Sequence, residues 1–357
     1  MQVWINIFPT FQLKSQSFFR MITRNFQSSA PLQLESGEIL EDFTVAYTTY
    51  GNLNADGSNV IWAVHALTGD GQVADWWSGL VGENALYNFS SHFIICANLL
   101  GSGYGSSNAL SENPATGTPY FYSFPTLSTR DLAKSLEMLR QHLKLEQIHT
   151  LIGGSLGGQV ALEWAYTLGE RLQHAIIIAS TAKTSPWVIG FNEAQRMSIA
   201  ADSTWGQDHQ DAGKKGLEAA RAIAMLSYRN PSDINSKQQE SEEKLDGFLA
   251  ASYLRYQGSK LAKRFQAFSY WTLTKAMDSH DIGRGRGGVE IALKSIKARV
   301  FAVGVNSDLL FLAEEARFLS QAVPSGSYGE IVSTAGHDAF LIEFTQLTRL
   351  IEEFYRS

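Results

Sequence analysis

The chain has 357 residues, a formal net charge of −6 and one cysteine. So mild an acidic balance gives no electrostatic footprint for nucleic acid. The lone cysteine rules out an intramolecular disulfide and fits a reducing, cytoplasmic compartment, and no apolar run is long enough to span a bilayer. The length exceeds what one hydrophobic core usually supports, so a core domain plus a second region is expected.

Residues 1–30 carry Lys14, Arg20 and Arg24 without a single acid. They are expected to lie outside the core, as a disordered extension or as sequence upstream of a start at Met21. Two extended runs, 32–34 and 43–49, flank Glu35-Ser36-Gly37-Glu38 and read as a hairpin. Residues 60–66 and 93–100 are continuous apolar runs of strand length. The first enters the loop His65-Ala66-Leu67-Thr68-Gly69-Asp70, where His65 can shape the turn, and the second enters Gly101-Ser102-Gly103-Tyr104-Gly105. Cys96 lies inside the second run and reads as a buried strand thiol. Residues 128–145 are helical, with Leu132, Leu136, Leu139 and Leu143 on one face and Ser128 or Thr129 as the cap. Strand, turn and helix then follow within 148–165, and another strand at 174–180.

From about Lys183 to Gly288 there is no convincing strand, and 193–201, 216–227, 245–256 and 261–278 have helical composition. The strand pattern resumes at 299–305 and 329–332, each followed by a helix, 309–322 and 339–355. Apolar strands alternating with helices indicate an α/β fold whose mostly parallel sheet is covered on both faces. The expected architecture is a discontinuous core, 31–182 and 289–357, with a helical lid inserted at 183–288. Gly283-Arg284-Gly285-Arg286-Gly287-Gly288 formally matches a dinucleotide fingerprint, but it follows a helical stretch and not a strand. It reads as a loop with Arg284 and Arg286 in ion pairs. The Gly101–Gly105 loop is expected to line the site without holding a nucleotide phosphate.

The chemistry concentrates at Gly153-Gly154-Ser155-Leu156-Gly157. Between an apolar strand and a helix, this pattern holds a serine on a strained turn with its hydroxyl exposed. A serine hydroxyl needs a base, and the base needs an orienting acid. His337, in Ala335-Gly336-His337-Asp338 after the last predicted strand, is the candidate base. Asp308, ending Val303-Gly304-Val305-Asn306-Ser307-Asp308, is the candidate acid. Backbone amides of Leu156 and Leu67 are the expected donors to a developing oxyanion. No His-Glu-x-x-His motif or Cys/His cluster occurs, so no catalytic metal is expected.

With these residues in place, the sequence resembles the homoserine O-acetyltransferase family of the α/β-hydrolase superfamily from about Pro31 to the end. The likeness rests on 65–70, Cys96-Ala97-Asn98-Leu99-Leu100-Gly101, Asn113-Pro114-Ala115-Thr116-Gly117, 153–158, Phe191-Asn192-Glu193-Ala194-Gln195-Arg196, Ala276-Met277-Asp278-Ser279-His280-Asp281 and Gly336-His337-Asp338. It implies an α/β-hydrolase fold and acetyl transfer from acetyl-CoA, as a co-substrate with no bound cofactor, to L-homoserine in methionine biosynthesis. It further implies Arg196 on the amino acid's carboxylate, Asp338 on its ammonium, and a homodimer formed through the lid. Three alternatives stay open: a succinyl donor, an esterase or thioesterase with the same triad, and a catalytically silent binding protein.

Overall fold

The computed structural model describes residues 21–357. Eight strands form one sheet: β1 Ile22–Gln27, β2 Thr44–Tyr50, β3 Val60–Val64, β4 Phe93–Ala97, β5 Ile148–Gly154, β6 Leu172–Ile178, β7 Arg299–Val305 and β8 Gly326–Ile331, in the order β1-β2-β4-β3-β5-β6-β7-β8. β2 pairs antiparallel with both neighbours, and every pair from β4 to β8 is parallel. Parallel neighbours need crossovers, which supply helices to both faces. In β3, Val60, Trp62 and Val64 join one core, while Ile61 and Ala63 join the other.

The first core is closed by α1 (Thr129–His142), α2 (Leu156–Leu168), α8 (Val289–Lys294) and α9 (Ala313–Ala322), with Trp62 edge-on to Trp164 at 4.8 Å. The second is closed by α10 (Phe344–Arg356) and by Val73, Trp77 and Phe340. Ser128 caps α1 in a capping box with Asp131, which satisfies two otherwise orphaned amides. Between β6 and α8 the chain leaves the sheet for five helices: α3 (Pro186–Ala200), α4 (Lys214–Tyr228), α5 (Pro231–Lys237), α6 (Leu249–Ala262) and α7 (Ala267–Asp278). Its departure and return lie side by side, with a bridge between Lys183 and Asp281 and a hydrogen bond from the Ile282 amide to the Ala182 carbonyl at 3.0 Å.

Three expectations need correction. The extension ends earlier than residue 30, because Ile22–Gln27 forms the edge strand β1, paired with β2 from Ile22↔Thr49 to Gln27↔Thr44. The remainder of the expected extension, 1–20, lies outside the described residues. The turn at 35–38 does not join 32–34 to 43–49: Leu32–Gln33 pairs with Ile39–Leu40, and the later run becomes β2. A tight turn can only pair the residues next to it, whereas β2 is buried along nearly all its length and needs a neighbour on each side. Finally, the helix expected at 339–355 is two elements, a 3₁₀ segment Gly336–Leu341 and then α10.

Candidate active site

Ser155 joins β5 to α2 with φ 57° and ψ −126°, a conformation that costs an L-residue on the order of 1–3 kcal/mol. Tight packing around the turn holds it there. A Cβ on Gly153 would lie 2.3 Å from the Gly157 carbonyl oxygen, and one on Gly157 would lie 2.2 Å from that of Val64. These two glycines let the start of α2 press against the ends of β5 and β3. The Ser155 amide donates to the Ile178 carbonyl at 3.0 Å, and the Ser180 hydroxyl donates to the Ser155 carbonyl at 3.0 Å.

The structure brings the three expected side chains together. The Ser155 hydroxyl donates to His337 Nε2 at 2.9 Å, and His337 Nδ1–H donates to Asp308 Oδ2 at 2.7 Å. The other Asp308 oxygen accepts from the amides of Leu310 (2.7 Å) and Phe311 (3.0 Å). Those bonds hold 309–312 in a turn, so α9 begins at Ala313 and not at the expected 309. All three residues are buried. Burial disfavours the imidazolium, but the charge and hydrogen bond of Asp308 outweigh it, and His337 is held above the ordinary histidine value. The rings of Tyr228, Phe311 and Phe340 pack around His337 at 5.5–5.6 Å.

Of the expected amide donors, Leu156 follows Ser155 directly, and Leu67 lies two residues beyond His65, whose carbonyl would sit 2.8 Å from a Cβ on Gly157. The turn bearing Leu67 closes with the Gly69 amide on the Ala66 carbonyl at 2.9 Å. His65 clamps its start, donating from Nδ1 to the Ala66 carbonyl (2.8 Å) and accepting the Leu99 amide at Nε2 (2.9 Å). Burial lowers the His65 pKa, which keeps it neutral in this bridging role. Asn98 holds the far end, accepting the Gly71 amide at 2.6 Å and donating to the Tyr104 carbonyl at 2.9 Å.

The two expected substrate contacts fare differently. Asp338 follows His337 directly but already faces Arg229, with Arg229 Nε 3.1 Å from its Oδ2. Arg196 is buried, and its Nη2 is bound to Glu193 at 2.6 Å and to Asp278 at 2.5 Å. Its Nε and Nη2 are taken by two carboxylates of the lid, with Asn192 securing Asp278 at 2.7 Å, and its Nη1 is buried without a hydrogen-bond partner. Arg221 on α4, a cation that sequence reasoning did not single out, stands one aromatic ring away from the relay. Its guanidinium lies over the ring of Tyr228 at 5.3 Å, and Tyr228 in turn packs on His337. It makes no ion pair with any described residue. The other sequence expectations hold locally: Cys96 is buried, Arg284 pairs with Glu35 at 2.7 Å, and Arg286 pairs with Glu163 at 2.7 Å.

A serine on a strained strand-to-helix turn, with its histidine and aspartate at successive strand ends of this sheet, defines an α/β hydrolase. A family profile of the alpha/beta hydrolase fold matches residues 59–344. The homoserine O-acetyltransferase of Cyclobacterium marinum is 59% identical over 330 residues, covering 92% of this chain and 94% of its own. Among solved structures, the homoserine O-acetyltransferase of Bacillus anthracis superposes with a TM-score of 0.86 at 21% identity, covering 94% of this chain and 97% of its own. Esterase E22 superposes at 0.87 and 20% identity, over 94% and 100%. At such identities the superpositions speak for the fold alone. The chain belongs to the homoserine O-acetyltransferase family.

Proposed function

We propose that this protein transfers the acetyl group of acetyl-CoA to the side-chain hydroxyl of L-homoserine, a step of methionine biosynthesis, through an acetyl-Ser155 intermediate. Family membership supports the substrates, and the observation that carries the mechanism is the 2.9 and 2.7 Å relay from Ser155 through His337 to Asp308. Ser155 Oγ attacks the thioester carbonyl while its proton passes to His337 Nε2. The tetrahedral oxyanion takes hydrogen bonds from the Leu67 and Leu156 amides, each worth about 3–4 kcal/mol of barrier. His337 then protonates the departing thiolate, so CoA leaves as the thiol. Homoserine's hydroxyl gives its proton to the same nitrogen, attacks acetyl-Ser155, and regenerates the serine as the acetyl ester departs.

A zwitterionic acceptor needs a cation and an anion fixed beside this relay. Arg221 and Asp338 are assigned these roles, with Arg229 sharing Asp338. Water competes for the acetyl-enzyme, so the lid over Ser155 serves to narrow access and hold the acceptor in line. The lid also exposes Trp187 (58%) and Met197 (63%) on α3, which supports a homodimer formed through it, in the cytoplasm; sedimentation of the full chain tests the dimer.

The deciding experiment follows free thiol released from acetyl-CoA with and without L-homoserine, with succinyl-CoA as the competing donor. Release should depend strongly on homoserine, prefer the acetyl donor and vanish in Ser155→Ala. Release indifferent to homoserine would make the protein a thioesterase, a reading that the superposition with an esterase keeps in view.

A further inference from the structure

The turn that carries Leu67 is held from three sides. His65 and Asn98 act from the core, as described above. The third hold comes from the lid. Arg264, in the connection between α6 and α7, donates from Nη1 to the Thr68 carbonyl at 2.8 Å and to the Tyr104 hydroxyl at 2.7 Å. The Tyr104 hydroxyl donates back to the Arg264 carbonyl at 3.1 Å. Tyr104 itself sits at φ 52° in the loop after β4, and its carbonyl is the one that Asn98 holds.

One guanidinium therefore joins the oxyanion turn, the loop at 101–108 and the lid. Arg264 is exposed and faces neutral oxygens; it makes no ion pair with any described residue. An exposed arginine with neutral partners contributes little to global stability, so its geometry calls for another explanation. The neighbouring Phe265 is buried and packs on Tyr104 at 6.0 Å, which fixes where the arginine emerges. Thr68 immediately follows Leu67, and a hydrogen bond to its carbonyl limits rotation of the turn.

We propose that Arg264 is a positioning residue: from the lid it sets the Leu67 amide in register with the oxyanion, so the acylation site is complete only when the lid is seated. This rests on the reading of Leu67 as an oxyanion donor. It differs from a substrate contact, because Arg264 acts through Thr68 on the transition state and not on the acceptor.

The test uses Arg264→Ala and Arg264→Lys in the full chain, with p-nitrophenyl acetate and acetyl-CoA as separate acyl donors. Displacing one donor without deleting it should lower the acylation rate with both donors by roughly tenfold, well short of the full loss of an oxyanion contact. The homoserine KM should stay within about twofold, the melting temperature should hold, and the lysine variant should recover part of the rate. Unchanged acylation, or a loss that appears only in the homoserine KM or tracks a fall in melting temperature, would overturn the proposal. Hydrolysis of p-nitrophenyl acetate needs Ser155 and the oxyanion turn but no homoserine. An enzyme that ignores homoserine would thus sink the transferase reading and leave this measurement standing.

Discussion

At Gly157 a single added methyl group would meet the Val64 carbonyl at 2.2 Å and the His65 carbonyl at 2.8 Å. Gly157→Ala should therefore push the start of α2, and the Leu156 amide with it, away from β3. The expected result is about 1–3 kcal/mol of lost stability in urea unfolding, with a fall in kcat beyond what the lost folded fraction explains. Asp308→Asn tests the relay by pH. Only unprotonated His337 can accept the serine proton, so wild-type activity should rise through an inflection above the ordinary 6.5 of histidine. Without the carboxylate, burial is opposed only by the charge of Asp338, the smallest of the influences on the ring, so the inflection should move below that value while kcat falls on the order of 10⁴-fold. The triad was legible because Ser155 has a local signature and its partners fall at predictable strand ends. The arginine proposed for the acceptor's carboxylate was not. Arg196 and Arg221 each have a glutamate three residues earlier, Glu193 and Glu218. In the fold Glu193 takes Arg196, while Glu218 turns to Lys215 at 3.1 Å. Asp278, 82 residues away, completes the capture of Arg196. Arg221→Lys should thus raise the homoserine KM about tenfold with acylation intact, whereas Arg196→Lys should show chiefly as a lower melting temperature.

Among the elements, β1 was misread because an edge strand leaves little trace in sequence. Of its six residues only Phe26 is buried, so no alternation reached the threshold of recognition, and basic residues on an edge look like a solvated tail. β2 was recognised as a strand but given the wrong partner, since pairing across the sheet is decided by long-range burial. The lid was legible as helical from its composition, yet what fastens it was not. Glu163 of α2, 1% exposed, receives Arg130 at 3.3 Å and Arg286 at 2.7 Å, and Arg286 also lies over the Tyr166 ring at 3.8 Å. Burial raises the Glu163 pKa against the pull of both arginines, so the cluster holds the carboxylate at a cost that those partners must offset. Glu163→Gln leaves Arg286 without a carboxylate and Arg130 with Glu35 alone, and should cost about 3 kcal/mol, read as a lower urea midpoint. Beside it, His280 donates to the Thr181 carbonyl at 3.0 Å and accepts from Thr129 at 3.1 Å, tying the lid's return to its departure.

For the molecule as a whole, these buried imidazoles set the response to acid. Burial, aided by the charge of His149, lowers His174 to about 4, and burial lowers His280 to about 3. Both begin from 6.5 in the unfolded chain. Below that pH the unfolded state binds protons that the folded state refuses, so stability should decline from there through about 4 and about 3. His337 acts in the opposite sense: its folded value is raised, so its contribution is complete below 6.5 and is lost as pH rises through that folded value. Urea midpoints across a pH series should show the acid decline, and His174→Gln should flatten its upper part. The side-by-side departure and return at Ala182 and Ile282 carry a consequence for descent. Since both severed ends of the sheet meet at one seam, the whole helical insert is a cassette. Exchanging it would present Ser155 to a new acceptor, and only an insert that restores the hold of Arg264 on Thr68 would keep acylation intact.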